Sequence, residues 1–584
     1  GSRGLCNTDF RCCFLATRGR WRSSARHVRH RQVIVVGAGM GGLAAAVTAA
    51  DEGCDVVLIE KNERLGGAAA YSGGQVWIGN NHVARREGCE PDTYEEVLEY
   101  IRALAEVDPK AFDEKLAEEW ILGASEAAEY FESTGVVAWT VIPEYPDYYF
   151  PTVSGSKSSG RYITGAPFQG SLLGEARDLL HNAPHFPSGI TYGEMFAWGG
   201  IVSKTAWDHQ LMAQRRADDV MTFGQGITGH FLAAVIKRGV HIMSGTAVTE
   251  LLLDAKCDVE GVVAVDRDGR RIELRGPVIL ATGAHDWDRR EGFWNEIPEG
   301  SNGSVAPRSL TGDGLALVEP TGAQMRKIPA WAAPVLPGYL TSLREFDGDT
   351  GFRGCYEHCM PHSIIVNRFG ERFCDDSFHP SIVRMGLAGD ESGRRNVPMY
   401  MLWDDNHHRR YGLGVTPPGG VYPDDVVVTA SSLFELALKL NIEPAGLESS
   451  VARFNEHAQF GEDPNFGRGQ NYSVRRFRGD GHHPLSPNVA PLDTAPFHGL
   501  NLRLLNTGIA SKGIVTTSAG RVSRANETVV SGLYAVGETA ARLAAGMGYN
   551  SGYSLSRAMT YGRLSVLDAV FREPELVNRK IPTS

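Results

Sequence analysis

The stretch from Gln32 to Glu60 constrains this chain more than any other. Val33-Ile34-Val35-Val36 is a β-branched run that reads as a buried parallel strand. It runs into Gly37-Ala38-Gly39-Met40-Gly41-Gly42, a G-x-G-x-x-G loop. Leu43 to Asp51 then reads as an Ala-rich helix ended by Gly53, and Val56-Val57-Leu58-Ile59 as a second strand closing on Glu60. In this pattern Gly37 makes the tight turn, Gly39 lets backbone approach a pyrophosphate, and Gly42 lets helix pack on strand. The helix N-terminus offers free N–H groups and a positive dipole end to phosphates. Glu60 lies 18 residues past Gly42, where a carboxylate can accept both hydroxyls of an adenosine ribose. A glycine loop alone is weak evidence; strand, loop, helix, strand and terminal acid in register are strong. They predict an α/β fold with a Rossmann-like dinucleotide-binding domain, a parallel sheet with helices on both faces.

The residues after Glu60 separate two kinds of dinucleotide. Gly66-Gly67 and Gly73-Gly74 are glycine pairs seven residues apart that let backbone lie against something large and flat beyond the pyrophosphate. An NAD site has no such need there. The run E-K-x-x-x-x-G-G-x-x-A-Y-S-G-G-x-x-W-I, from Glu60 to Ile78, resembles the flavoproteins of the fumarate reductase and 3-ketosteroid dehydrogenase superfamily. It is most similar to the ketosteroid Δ1-dehydrogenase branch. The resemblance implies FAD, with Glu60, Lys61, Gly66, Gly67, Ser72, Gly73 and Gly74 among its contacts. Members that attach FAD covalently carry a His near Ser72; Ala70 and Tyr71 stand there, which implies non-covalent FAD.

At 584 residues the chain is too long for one core. Boundaries are expected at 1–31, a disordered leader or remnant; 32–318, the first part of the FAD-binding domain; 319–492, an inserted α+β substrate (capping) domain; and 493–584, the return segment. The leader holds eight Arg and one acid, Asp9, a composition that also fits a transit peptide. The net charge of −11 argues against nucleic acid or an anionic membrane as partner. Nine Cys without Zn-type pairs suggest no metal site and reduced thiols in a cytoplasmic protein. No apolar run reaches the roughly 18 residues of a membrane span.

Along the chain, 91–135 reads as helix with core faces (Tyr94, Val97, Leu98, Ile101; Phe112, Leu116, Trp120). The Pro- and Tyr-rich run Ile142 to Pro151 cannot be helix interior and reads from residues alone as an aromatic-packed surface loop. P-D-Y-Y, a Gly/Ser loop and G-R resemble the ketosteroid dehydrogenase segment that carries a catalytic Tyr, which implies Tyr148. Tyr192 and Trp198 face a substrate or fill core. Phe223-Gly224-Gln225-Gly226 opens a helix, and Thr246 begins a strand pairing with Gly261 to Val265. In the superfamily, backbone matching Val248 meets the adenine, and the fingerprint Ala281-Thr282-Gly283 lies beside the cofactor.

Ile364 to Pro380 reads as a hairpin with a G-E-R-F turn, as in the superfamily. Five residues after Asp375, relatives place an Arg proton donor or a Tyr base, but here Pro380 can do neither. His379 is adjacent and could take the proton, a capping histidine being the alternative, with Tyr192 in reserve. Near the end, Gly537-Glu538 is expected at the pyrophosphate and ribityl chain, and Ser554-Leu555, opening the last helix, at the flavin edge. Tyr549 matches the Tyr that hydrogen-bonds the substrate ketone; Tyr553 replaces the partner Gly of the ketosteroid branch, and Gly546 replaces a substrate-binding Arg of fumarate reductases. Phenols without cations suit a neutral carbonyl better than a charged acid.

The resulting expectation is an FAD-dependent desaturase of a cyclic ketone, a 3-ketosteroid or a smaller cyclohexanone-type ring, with an external electron acceptor (oxygen, quinone or other). Its reverse, reduction of an enone or unsaturated acid, and a flavin-stabilised binding protein without turnover are the alternatives.

Overall fold

The structure, a computed structural model, describes residues 31–105, 110–181, 189–288, 290, 297–342 and 351–571. The Arg-rich leader, apart from Arg31, lies outside the described residues.

The first sheet has six strands in the order Arg521–Ser523, Val529–Ala535, Val278–Leu280, Gln32–Val36, Asp55–Ile59, His241–Met243. All neighbours run parallel except the Arg521–Ser523 edge, and Ile34 sits opposite both Val57 and Val278. The strands read as unbroken apolar runs because both faces are covered. Val33, Val35 and Leu58 point to helices Met40–Asp51 and Tyr553–Phe571. Ile34, Val36, Val57 and Ile59 point instead to the three-stranded meander Ala247–Leu253, Val259–Val265, Arg271–Arg275 and to the short helix Asp313–Leu317. The two long helices nearly touch: a Cβ on Gly562 would lie 2.5 Å from the Gly41 carbonyl oxygen.

The second sheet has seven strands around Phe497–Asn506, which pairs antiparallel with Leu336–Leu340, Met399–Trp403 and Val428–Ala430 and parallel with Asn302–Ser304. That central strand follows residue 493, so the backbone stays with this sheet until Asn506, one strand later than the sequence suggested. Period-2 patterning again serves two cores: Met399, Met401 and Trp403 enter one, Tyr400 and Leu402 the other with helices Leu433–Leu440 and Pro444–Ala458.

The expected hairpin after Ile364 is a tight turn without a returning strand. Ser363–Asn367 pairs with Met399–Trp403, and Gly370 (φ +73°) turns the chain. The residues that would have returned are drawn into a buried ion cluster instead. Asp376 pairs with Arg372 (2.9 Å) and Arg468 (2.9 Å), Arg372 also with Asp463 (2.8 Å). Asp376 further accepts the Ile365 N–H at 2.7 Å. This cluster anchors the chain just before helix His379–Leu387.

Candidate active site

A trough runs along the carboxyl ends of the parallel strands. Gly37 (φ +103°) and Gly42 are demanded by packing: a Cβ would lie 2.2 Å from the Ala281 oxygen and 1.8 Å from the Gly37 oxygen, respectively. Gly39 differs. Its Cβ would meet only the Gly66 oxygen, at 4.0 Å, so the protein leaves the space before it open. Gly39 is also the N-cap of helix Met40–Asp51 and offers no side-chain cap, leaving the first amides for a ligand. Glu60 is held by backbone, its two oxygens accepting the Ala38 and Asn62 N–H groups at 2.9 Å each. Burial pushes its pKa up while those amides and Lys61 pull it back, and its carboxylate keeps lone pairs that can accept further hydrogen bonds. An open glycine, uncapped amides and an anchored carboxylate fit the pyrophosphate and ribose of a dinucleotide.

Gly37, Gly39, Glu60, Lys61, Gly67, Val248, Ala281, Thr282, Gly283, Gly537 and Glu538 all line this trough. Gly42 and Gly66 stand behind its wall, where they shape backbone. Lys61 is committed to Asp313 (2.7 Å) and Thr311 (2.6 Å), so it braces the rim and is not a free phosphate donor. Glu538 accepts the Ala510 N–H at 2.9 Å and faces Arg557. Ser72, Gly73 and Gly74 line the next chamber, Ser72 Oγ closing a turn between the Ala69 oxygen and the Gly74 N–H. Ala68, Ala69, Gly508, Ser554 and Leu555 line both spaces, so the trough opens into the chamber at the start of the last helix.

Tyr148, Tyr192, His379 and Tyr549 all face this one chamber. The run around Tyr148 is therefore not a surface loop. Asp147 is buried, accepting from Trp77 Nε1 (2.7 Å), the Lys157 N–H (2.8 Å) and Arg161 Nη1 (2.8 Å). Arg161 in turn forks onto Asp92. The Asp of P-D-Y-Y and the Arg of G-R are thus one buried ion pair that pins Tyr148 in place. Asn550 adds to this, its Oδ1 accepting the Tyr148 N–H (3.0 Å) and the Tyr100 hydroxyl (2.7 Å). The Tyr549 ring stands edge-on to Tyr148 at 6.1 Å. Tyr192 starts a short helix with a Thr191/Glu194 capping box and packs on Phe223 at 4.8 Å. Tyr553 turns away from the chamber into the core, against Trp77 and Trp120.

The expectation for His379 needs correcting. Its Nδ1 accepts a hydrogen bond from Arg478 Nη1 at 2.9 Å, so the basic nitrogen on that side is occupied. Burial, with Arg478 next in weight, holds its pKa well below the ordinary value. It is a neutral acceptor that positions Arg478, and Pro380 beside it serves the first turn of helix His379–Leu387.

Arg478 was not singled out in the sequence. It follows Phe477 at the end of helix Tyr472–Phe477, where a basic residue ordinarily meets terminal carbonyls; only its neighbours Arg475 and Arg476 are exposed. Arg478 Nη2 reaches the Tyr148 hydroxyl at 3.4 Å, and Cζ lies 5.5 Å from the Tyr148 ring. Burial pushes the Tyr148, Tyr192 and Tyr549 hydroxyls upward; only at Tyr148 is the Arg478 guanidinium the next largest influence, pulling down. A chamber of phenols without a cation was expected; a guanidinium enters it.

Comparison with known proteins agrees with this geometry. The family model described as FAD binding domain matches residues 32–555. A 4-oxocyclohexanecarboxylate 2-dehydrogenase from Sinomonas cyclohexanicum is 32% identical over 546 residues, covering 91% of this chain and 92% of that protein. A 3-oxosteroid 1-dehydrogenase from Mycolicibacterium smegmatis is 27% identical over 581 residues, covering 92% and 96%. The crystal structure of 3-ketosteroid Δ1-dehydrogenase from Sterolibacterium denitrificans shares the fold, with a TM-score of 0.82 at 24% identity over 92% of this chain and 99% of that one.

Proposed function

We propose, from the premise that this chain belongs to the FAD-binding family, that it is a dehydrogenase introducing a C=C bond beside the carbonyl of a cyclic ketone. Convergence of Tyr549, Tyr148 and Arg478 on a chamber that opens onto the trough at Ser554 and Leu555 carries this reading. The relatives act, by their names, on a six-membered ring ketone and on 3-oxosteroids.

Tyr549, its phenol kept protonated by burial, donates to the ketone oxygen and stabilises the enolate that forms there. Tyr148 takes the α-proton, since among Tyr148, Tyr192 and Tyr549 it is the one whose hydroxyl the Arg478 guanidinium reaches and whose ionised form that charge favours. Bound FAD supplies the acceptor for the β-hydride. Gly37, Gly39 and Glu60 would hold its adenosine and pyrophosphate end, and Ser72, Gly73, Gly74, Ser554 and Leu555 would lie beside its ring. An external oxidant, oxygen or a quinone or another, removes the two electrons. The inserted part, expected at 319–492, with the second sheet that runs on to strand Phe497–Asn506, would cover the substrate. Free thiols at Cys355, Cys359 and Cys374 support a reducing, cytoplasmic setting, and among the described residues no helix is long and apolar enough to cross a membrane.

The test is anaerobic mixing of holoenzyme with ketones from cyclohexanone to 4-androstene-3,17-dione, followed by flavin absorbance. Bleaching by one member is the expected result. No bleaching, with reoxidation of reduced enzyme by an enone, assigns a reductase instead.

A further inference from the structure

Arg478 is a cation inside the substrate chamber whose polar partners are neutral while Tyr148 is in its protonated resting form. Its guanidinium donates to His379 Nδ1 (2.9 Å) and to the Tyr148 hydroxyl (3.4 Å), and the Tyr145 hydroxyl is a third neighbour. Among the described residues no carboxylate lies within ion-pair distance of it. Arg478 is half-buried at the chamber wall, whereas the chain pairs more deeply buried guanidinium groups with acids: Arg161 with Asp92 and Asp147, Arg372 with Asp376 and Asp463, Arg468 with Asp376. Arg542, also without such a partner, lines neither the trough nor the chamber. A half-buried cation without a carboxylate loses its remaining water when a ligand fills the chamber, and an anionic group on that ligand offsets the cost.

We infer that Arg478 is a carboxylate-binding subsite and that the substrate is a cyclic ketone bearing an acid group. The inference rests on the desaturase reading for the identity of the ring, but not for the anion. A guanidinium has five N–H groups, and two of them serve His379 and Tyr148, which leaves donors for a carboxylate. Tyr148 adjoins both ends of the site, its ring lying 5.5 Å from Arg478 Cζ and 6.1 Å from the Tyr549 ring. A single small ring against Tyr148 therefore meets a carbonyl donor at one end and a cation at the other. A neutral apolar ring system seated there would leave the guanidinium facing hydrocarbon, which disfavours steroids by exclusion as much as by lost attraction.

The experiment compares 4-oxocyclohexanecarboxylate with its uncharged primary amide, using wild-type holoenzyme, Arg478→Gln and Arg478→Lys. Wild type is expected to prefer the acid in kcat/KM by about 100-fold, the usual consequence of a buried charge-assisted pair. Arg478→Gln should bring that ratio close to one, mostly through the acid's KM, and Arg478→Lys should restore part of it. Equal use of acid and amide by wild type overturns the inference while leaving the desaturase standing. An equal loss on both substrates in Arg478→Gln also overturns it, since that is what a role confined to holding Tyr148 and His379 would give. If no ketone bleaches the flavin, the desaturase reading fails, and the subsite is then tested by titrating wild-type holoenzyme with cyclohexanecarboxylate and cyclohexanecarboxamide. Perturbation of the flavin spectrum by the acid alone supports the subsite, and equal or absent perturbation removes it.

Discussion

Arg478 Nη1 donates to His379 Nδ1 across 2.9 Å. That one contact decides which side chain can take a proton. It leaves the imidazole proton on Nε2 and, with burial, keeps the ring neutral throughout the working range. His379→Ala should therefore keep the pH dependence of kcat/KM and lower kcat by no more than about tenfold, the worth of one lost hydrogen bond. Loss of the ascending limb in this variant would return the base to His379.

The base assigned above makes a pH prediction of definite sign. Burial raises the Tyr148 pKa above the phenol's ordinary 10, and Arg478 opposes the rise. Activity needs the ionised phenol, so kcat/KM should climb with pH on the alkaline side, and Tyr148→Phe should flatten the climb. An anionic substrate on Arg478 cancels part of the charge that stabilises the phenolate. With such a substrate the limb in kcat, which reports the complex, should lie at higher pH than the limb in kcat/KM, which reports free enzyme. A neutral ketone should show no such gap.

Tyr549→Phe removes the donor to the developing enolate without altering packing volume appreciably. Turnover should fall by about two orders of magnitude, in line with loss of one oxyanion donor. FAD content and the flavin spectrum should be unchanged, because Tyr549 lines the chamber and not the trough. Near-wild-type rates would remove its role.

The glycines of the loop give a contrast that separates folding from cofactor binding. Gly39→Ala places a methyl in open space, so the apoprotein should melt as wild type does, while FAD binding weakens by roughly 1–3 kcal/mol as crowding sets in. Gly42→Ala places a methyl 1.8 Å from a backbone oxygen and should lower apoprotein stability directly. Comparable melting losses in both variants would mean that the Gly39 space is not kept for a ligand.

What the sequence disclosed follows from how local the cause is. The strand–loop–helix unit at 32–60 is written in neighbouring residues, period-2 runs and obligatory glycines, and it folds as read. The motif around Tyr148 was visible, but its reason was not: Asp147 meets Arg161 and Arg161 meets Asp92, partners scattered over 70 residues that only the fold unites. Arg478 was invisible for the opposite cause. It sits in an R-R-F-R run where local chemistry predicts a solvated helix end, and its inward turn is set by burial of Ser473, Val474 and Phe477. The G-E-R-F segment was misread as a hairpin because Arg372 and Asp376 look like exposed turn charges, whereas each is spent on a buried partner.

That ion cluster carries the last prediction. Burial would raise the Asp376 carboxyl, but Arg372 and Arg468 outweigh it and hold the group well below the ordinary value. A folded pKa below the unfolded one gives stability that is complete above about pH 4 and is lost as pH falls below it. Asp376→Asn keeps the shape but leaves Arg372 with Asp463 alone and the Arg468 guanidinium with no carboxylate among the described residues, and removing one partner of such a buried group costs about 3–5 kcal/mol. The variant should thus melt well below wild type at pH 7 and lack the extra loss that wild type shows below pH 4. Because the cluster sits just ahead of His379, the same variant should also loosen the Arg478 contact and raise KM for an acid substrate more than for its amide. A melting temperature at pH 7 indistinguishable from wild type would show that the cluster is not what holds this part of the chamber wall.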